Sequence, residues 1–251
     1  MLGRAGSASE RNLIPKLVHQ TARTKDLAWE ERRLADRIQR ILFDWEYRLW
    51  DNDEQRALFH QLFPELANRF DKIPFGVARS DLARYAILYL YGGVYVDIDY
   101  RLLRYVDKNI SHAQLVLPIE LYNQSNPDKF RPIVIGNSFL AAAPKQLFWK
   151  NLIEDIFDKL APDRMASPDQ IVSTTGPVAL TDFYERHKPY GSEVLVAEKN
   201  LFQPNISFLG LRSSADKETY GVHLHWGSWR RHSPLTAIRI LLRRKLNALV
   251  S

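Results

Sequence analysis

The sequence predicts a single α/β domain with an open, mostly parallel, Rossmann-like sheet flanked by helices. Short apolar segments alternate with longer segments of helical periodicity, an order that is typical of parallel sheets joined by helices. The chain has 251 residues, 45% of them hydrophobic, which is enough for one large core. We expect one domain over residues 12–230, a flexible leader at 1–11 and a basic amphipathic helix at 231–251.

The first half of the chain contains the clearer elements. Ser80 is expected to cap a helix that the Gly92-Gly93 pair ends, because serine favours helix N-termini and glycine favours C-termini. The predicted order is a strand in "LIPKLVHQ" (13–20), a helix at 29–42, a strand in "WEYRLWD" (45–51), helices at 53–63 and 80–91, and a strand at 94–100.

The second half is less regular. Thr175 and Gly176, in "TTGP", form a helix-entry turn that either faces an acceptor or only caps the helix. The predicted elements are apolar runs at 115–119 and 133–142, a helix at 144–160, another from 177, and short strands near 194, 206 and 220.

The composition excludes several kinds of site. The chain has no cysteine, which rules out disulfides, thiolate metal sites and cysteine nucleophiles. No apolar run reaches the roughly 18 residues of a membrane span, and the start, "MLGRAGSASERN", lacks the apolar core of a signal peptide. No P-loop, dinucleotide-binding glycine motif or zinc-protease motif is present. We expect a cytoplasmic protein.

The net charge of +6 arises at the C-terminus, because residues 230–251 contain six basic residues and no acid. Apolar residues recur there at helical spacing. Such a helix, over 235–250, either lies on an anionic membrane surface, which would place the protein peripherally on the cytosolic face, or packs on the core with a solvated basic face. No interleaved aromatics or recognition motif indicates nucleic-acid binding.

Two aspartates interrupt the predicted strand "GGVYVDIDY" (92–100). Successive side chains of a strand point to opposite faces, so Tyr95, Asp97 and Asp99 would share one face. Adjacent acids repel each other and lose hydration unless a cation or a donor lies between them. A D-x-D pattern alone is weak evidence, and the one at 51–53 is expected by chance. The sequence around Asp97 and Asp99 therefore predicts a cation or a positively charged side chain between their carboxylates.

The helix before this strand carries a second charged pair. Asp81 and Arg84 are three residues apart and therefore neighbours on one helix face. They form either an ordinary surface ion pair or part of a ligand site at the end of the sheet, where open α/β folds bind their ligands. His223 and His225, in "HLHWGSW", would likewise share one strand face, as structural residues or as ligands.

Several blocks together resemble glycosyltransferase family 32. The family includes fungal initiating mannosyltransferases and bacterial capsule and lipopolysaccharide enzymes, and its central block is shared with large clostridial glucosylating toxins. The resemblance covers residues 12–230 and implies a GT-A fold. The blocks that carry it occur in the family's order: "IPKLVHQ", "WEYRLWD", "ARSDLARYAILYLYGGVYVDIDY", "GNSFLAA", "TTGP" and "HLHWGSW".

The resemblance also implies roles for individual residues. The metal, Mn²⁺ or Mg²⁺, would bridge the phosphates of the donor and be held by Asp99 with His223 or His225. Residues expected to contact the donor sugar or take part in catalysis are Asp81, Arg84, Asp97 and Asn137. Residues expected to bind the nucleotide and diphosphate are Pro15, His19, Gln20, Arg84, Tyr95, Asp97, Ser228 and Trp229.

The function implied by the resemblance is metal-dependent, retaining transfer of a hexose from a UDP- or GDP-sugar to an acceptor hydroxyl. The acceptor would be a glycan or lipid-linked glycan in polysaccharide, lipopolysaccharide or glycolipid synthesis. The alternatives are a toxin-like transferase that modifies protein, a metal-dependent hydrolase of phosphoesters or nucleotide sugars, and a non-enzymatic membrane module whose acids bind structural calcium. A glycosidase is not indicated, because its two acids would flank the sugar from different elements.

Overall fold

The computed structural model describes residues 13–122, 133–160, 168–188, 194–205, 218–227 and 234–249. The predicted leader, the strand near 206, Ser228 and Trp229 lie outside the described residues.

The described residues form an α/β fold, as predicted. The strands are β1 Leu17–Thr21, β2 Glu46–Trp50, β3 Gly93–Val96, β4 Tyr100–Leu102, β5 Leu115–Tyr122, β6 Ile133–Ile135, β7 Phe139–Ala142, β8 Val194–Ala197 and β9 Gly221–His223. The helices are α1 Trp29–Ile41, α2 Asn52–Leu62, α3 Ala67–Asp71, α4 Gly76–Tyr91, α5 Asp107–Ile110, α6 Leu147–Lys159, α7 Pro168–Thr174, α8 Pro177–His187, α9 Lys199–Phe202 and α10 Pro234–Leu249.

A seven-stranded sheet in the order β2-β1-β3-β7-β5-β6, with β8 also on β5, forms the centre of the described fold. β1 pairs in parallel with β2 and β3, and β5 pairs in parallel with β8. β7 is antiparallel to β3 and β5, and β6 is antiparallel to β5. Five strands of this sheet therefore run in one direction, which confirms the mostly parallel prediction. β4 and β9 form a separate antiparallel pair.

Apolar clusters cover both faces of this sheet. One contains Leu82 of α4 and Trp149 of α6, packed against alternate residues of the central strands. The other contains Ile38 of α1 and Phe202 of α9, packed against the remaining strand residues. The alternation of side chains along each strand divides the core in this way. The sheet is thus buried between layers, and its polar groups concentrate where strands end.

The prediction of a continuous strand over 94–100 is wrong. β3 ends at Val96, and Asp97 to Asp99 form a turn in which the amide of Tyr100 donates to the carbonyl of Asp97 at 3.0 Å. Because of this turn the chain leaves the large sheet and enters β4. The two acids therefore follow a strand and do not share one of its faces.

The start of α4 also differs from the prediction, whereas its end agrees. The helix begins at Gly76, and the Ser80 hydroxyl, inside it, donates to Gln55 Oε1 at 3.0 Å instead of capping. Gly92 ends the helix at φ 64°, followed by Gly93 at φ 84°. A Cβ on Gly92 or Gly93 would lie 2.6 or 2.5 Å from neighbouring backbone atoms, so only glycine fits at either position.

α10 packs on α1 along part of its length. Arg33 Nε donates to the carbonyl of Ala248 at 2.9 Å, and Arg244 lies 3.1 Å from Glu31. Its outer face is apolar and exposed, with Leu242 57% and Leu249 66% accessible. Among the described residues, no helix has both the length and the apolar character that crossing a bilayer requires. Membrane contact through α10 stays a prediction.

Candidate functional site

The predicted site residues converge beyond the carboxyl end of β3. Asp97 is fixed there because its amide donates to the carbonyl of Ser138 at 2.8 Å, just before β7. This is the edge at which open α/β sheets bind their ligands. The described segments that meet there are the turn at 97–99, the middle of α4, residues 137–138, Thr175 between α7 and α8, and residues 223–226 at the end of β9.

Arg84 is the buried centre of this group. Its Nη2 lies 3.1 Å from an oxygen of Asp81 and 3.1 Å from an oxygen of Asp97, and the guanidinium side chain is only 5% exposed. It also donates to the carbonyl of Asn137 and lies over the ring of Tyr95, 4.6 Å from the centroid. The pair of Asp81 and Arg84 is therefore not an ordinary surface ion pair.

Asp81 is held by neutral donors as well. Asn137 Nδ2 donates to one carboxylate oxygen at 3.0 Å, and the Thr175 hydroxyl donates to the other at 2.9 Å. The hydroxyl of Tyr85 donates to the carbonyl of Thr175 at 2.9 Å. The sequence indicated Thr175 as part of a helix-entry turn that either faces an acceptor or caps the helix. It did not indicate the contact with Asp81, which lies 94 positions away in the chain.

Burial and charge oppose each other in this network. Burial by itself lowers the pKa of Arg84, but Asp97, Tyr95 and Asp81 outweigh it, so the pKa is raised above its ordinary value. Burial raises the pKa of Asp81 to about 6, although Arg84 and the hydroxyl of Thr175 favour its ionised form. Arg84 therefore favours the charged form of the buried Asp81 carboxylate, and it also forms an ion pair with the more accessible Asp97.

Asp99 connects the turn to the segment after β9. One carboxylate oxygen lies 3.1 Å from His223 Nε2, and the other accepts the amide of Trp226 at 2.8 Å. The amide of Leu224 donates to the Asp99 carbonyl at 3.0 Å. Pairing of Tyr100 with His223 across β4 and β9 sets this register. The predicted association of Asp99 with the histidine segment is thus present.

The two histidines have opposite electrostatic environments. Burial lowers the pKa of His223, but the Asp99 carboxylate outweighs it and raises the pKa to about 9. Burial and the charge of His223 lower the pKa of His225 to about 3. The prediction that they share a strand face is wrong, because β9 ends at His223 and His225 has φ 49°, but their ring centroids are 4.0 Å apart. Burial raises the pKa of Asp99, but His223 and the amide of Trp226 outweigh it, so the net shift is downward.

The donor set fits a divalent cation. Ligand atoms of Asp97, Asp99 and His223 all lie within 4.8 Å of one another. Their side chains are 20%, 13% and 16% exposed, so the group is accessible from solvent, unlike Arg84 and Asp81. Carboxylate oxygens with one imidazole suit Mn²⁺ or Mg²⁺.

Polar residues of β1 hold the turn in place. Gln20 Nε2 donates to the Asp97 carbonyl at 3.0 Å and Gln20 Oε1 accepts from the Tyr47 hydroxyl at 2.8 Å. The Tyr95 hydroxyl lies 2.8 Å from that of Thr21 and donates to Asp97 Oδ1 at 3.1 Å. Gln20 and Tyr95 therefore orient Asp97, and a direct contact with a nucleotide stays a prediction.

The structure does not bring Pro15 to the acids, and it surrounds His19 with protein. Pro15 precedes the amino end of β1, at the sheet edge opposite the one that Asp97 follows. His19 is 1% exposed, with Nε2 3.1 Å from the Gly92 carbonyl and Nδ1 accepting from Trp50 Nε1 at 3.3 Å. Both ring nitrogens are occupied, so a nucleotide contact through them would require one bond to break.

His19→Gln should flatten the pH dependence of stability. Burial lowers the pKa of His19 from 6.5 to about 4, so below pH 6.5 the unfolded chain binds a proton that the folded chain does not. The stability contributed by neutral His19 is full above pH 6.5 and is lost as the pH falls towards 4. Between pH 7 and pH 5 the wild type should lose about 2 kcal/mol more than the variant in urea denaturation. Parallel pH profiles would contradict this.

Residues 30–116 match the model of a protein family described as the glycosyltransferase sugar-binding region containing a DXD motif. The predicted resemblance is confirmed. The chain is related to the DXD-containing glycosyltransferases. The matched segment runs from α1 into β5 and includes Asp81, Arg84, Tyr95, Asp97 and Asp99.

Similar curated proteins are fungal mannosyltransferases. Inositol phosphoceramide mannosyltransferase 2 of Schizosaccharomyces pombe is 26% identical over 176 residues, 70% of this chain and 48% of that protein. The initiation-specific alpha-1,6-mannosyltransferase of the same organism is 25% identical over 259 residues, 86% of this chain and 64% of that protein. The chain thus spans about half the length of inositol phosphoceramide mannosyltransferase 2 and of similar curated relatives.

Solved glycosyltransferase structures are also similar. The PaToxG glycosyltransferase has a TM-score of 0.46 at 12% identity, covering 70% of each chain. The galactosyltransferase LgtC, in complex with donor and acceptor sugar analogs, has a TM-score of 0.45 at 14% identity, covering 93% of this chain and 95% of that one.

Proposed function

We propose that the chain is a metal-dependent, retaining glycosyltransferase of the GT-A type. It would move a hexose from a UDP- or GDP-sugar to an acceptor hydroxyl. The observation that carries the proposal is the convergence of Asp97, Asp99 and His223 into one solvent-accessible donor set directly beside the buried ion pairs of Arg84. A glycosyl donor presents a diphosphate, and the combination of a cation site with a guanidinium is suited to it.

The chain's own residues would bind the donor and neutralise the charge that grows on the leaving diphosphate. A cation held by Asp97, Asp99 and His223 would supply a Lewis acid beside that group. Arg84 orients Asp97 towards this position through their 3.1 Å contact. Asp81, fixed by its bonds to Asn137 and Thr175, would bind hydroxyls of the donor sugar. A site organised before the donor arrives needs little rearrangement in the transition state.

The acceptor that we propose is a lipid-linked glycan or a glycolipid at a membrane surface. Relatives named inositol phosphoceramide mannosyltransferases support this class of acceptor and favour a mannose donor. The exposed apolar face of α10, with the basic side chains of Arg239 and Lys245 on the same helix, supports peripheral contact with an anionic membrane surface. We propose that this surface is the cytosolic face of a membrane.

The test is a donor panel. Purified protein is incubated with GDP-mannose, UDP-glucose, UDP-galactose and UDP-N-acetylglucosamine, with Mn²⁺, with Mg²⁺ or with excess chelator, and released nucleotide is measured. We expect release from one donor that requires a divalent cation and rises when a glycolipid acceptor is added. An α-linked product, identified by NMR, would support retention.

Two results would overturn the proposal. Release of phosphate from simple phosphoesters, without any sugar transfer, would favour the hydrolase alternative. Nucleotide release that is unaffected by chelator would show that the reaction does not require a metal.

A further inference from the structure

Glu120 is a carboxylate at the site that the sequence analysis did not single out. It lies in β5, at a point where the pairing with β6 shifts register between Ile119 and Leu121. A bulge of this kind redirects a side chain. The ligand atoms of Glu120, His223 and His225 all lie within 4.8 Å of one another. They form a second donor set, which shares His223 with the first.

We propose that Glu120, His223 and His225 form a second position for a divalent cation, beside the Asp97, Asp99 and His223 position, which binds the ion when no nucleotide is present. Its role rests on the proposed function, since the ion held there would later meet the donor diphosphate. The existence of this second cation position does not depend on the proposed function, because ion binding requires no transfer of sugar.

Glu120 has the environment of a ligand without its ion. It is partly buried in the otherwise apolar strand "LVLPIELY", and no described residue donates a hydrogen bond to it. Its strongest electrostatic neighbours are His223, Asp97 and Lys199. His223 and Lys199 supply positive charge beside this partly buried carboxylate, and Asp97 adds a second negative charge. A divalent cation bound by Glu120 and neutral imidazoles would supply positive charge there in place of a protonated His223.

The histidine pair shows two further signs of a binding site. His225 has φ 49°, a left-handed conformation that is unfavourable for a side-chain-bearing residue and that brings its ring beside that of His223. His223 Nδ1 is buried without a hydrogen-bond partner among the described residues, whereas Nε2 faces Asp99. His223 therefore has a nitrogen to offer besides the one that faces the acids.

The two positions should differ in the metals they prefer. Glu120 with two imidazoles is a nitrogen-rich set, which favours Mn²⁺, Co²⁺ or Zn²⁺ over Mg²⁺. Asp97 and Asp99 with a diphosphate form an oxygen-rich set, which accepts Mg²⁺ as well. The structure thus predicts transition-metal binding without nucleotide, and a broader choice of metal once the diphosphate is present.

The test is isothermal titration of Mn²⁺ into nucleotide-free protein for the wild type, Glu120→Gln, Glu120→Asp and the surface control Glu154→Gln. We expect Glu120→Gln to weaken Mn²⁺ binding by about tenfold or more. Removing a residue that only hydrogen-bonds to a metal ligand already weakens metal binding by about tenfold, and Glu120 would be a ligand itself. Glu154→Gln, on an exposed part of α6, should bind as the wild type does. Circular dichroism checks that each variant is folded.

Two outcomes overturn the inference. One is wild-type Mn²⁺ affinity in folded Glu120→Gln. The other is unchanged coordination of Mn²⁺ by histidine nitrogen, measured by pulsed EPR, in a His225→Asn variant. If Glu120→Asp alone folds, its shorter carboxylate should still weaken binding. If the protein transfers sugar but these variants bind Mn²⁺ as the wild type does, only the second cation position is refuted. If the variants lose Mn²⁺ binding as expected but the wild type transfers no sugar, only the proposed function is refuted.

Discussion

Asp99→Asn is expected to lower the rate of sugar transfer by about a thousandfold while leaving the protein folded. The amide keeps the shape of the side chain and can still accept the backbone amide of Trp226, but it lacks the charge that holds a cation. Losing about 4 kcal/mol of transition-state stabilisation, in the range that metal polarisation supplies, corresponds to that factor. The measurement is kcat/KM for the donor identified in the panel, at saturating Mn²⁺.

The matched control is Asp51→Asn, in the other D-x-D sequence of the chain. The Asp51 side chain accepts the amide of Glu54 at 2.9 Å and so caps α2. Asparagine caps helices as well as aspartate does, so activity and stability should stay close to wild type. A loss in Asp51→Asn equal to that in Asp99→Asn, or a fully active Asp99→Asn, would contradict the assignment.

Arg84→Met is expected to lower the free energy of unfolding by about 3–5 kcal/mol, the cost of breaking a buried ion pair from one side. Methionine fills a similar volume but leaves the carboxylates of Asp81 and Asp97 without their counter-charge. The side chains of these two residues are only 6% and 20% exposed, respectively. The measurement is urea denaturation at pH 8, where Asp81 is ionised because its pKa is raised only to about 6.

Arg56→Met provides the comparison on the surface. Arg56 also forms a short ion pair, 2.6 Å from Asp71, but its side chain is 57% exposed. Solvent screens such pairs, so its loss should change the stability by less than about 1 kcal/mol. Equal effects of the two substitutions would mean that Arg84 does not organise the site.

Local patterns predicted most of the fold. The apolar segments and the double glycine located β1, β2, β3 and α4, because burial and positive φ leave a clear mark on residue choice. The break after Val96 left no such mark: "YVDIDY" alternates as a strand would, and only pairing of β4 with β9, from the far end of the chain, ends β3 there. The predicted start of α4 at Ser80 was wrong because the Ser80 hydroxyl bonds to the side chain of Gln55 and does not cap the helix backbone.

The candidate site was predictable where its residues lie close together in the chain. Asp81 with Arg84, Asp97 with Asp99, and His223 with His225 were each found as short-range pairs, and the resemblance to a known family brought them together. The contact of Thr175 with Asp81 and the whole of Glu120 were missed, because their partners lie about a hundred positions away in the chain. A single acid inside the apolar run "LVLPIELY" was the one signal that could have indicated Glu120.

The most direct test of the account is anomalous diffraction from crystals grown with Mn²⁺ and the nucleoside diphosphate of the preferred donor. We predict one strong manganese peak within coordination distance of Asp99, with both phosphates bound to the same ion. A diphosphate bound elsewhere, or no manganese beside Asp99 when the nucleotide is present, would contradict it.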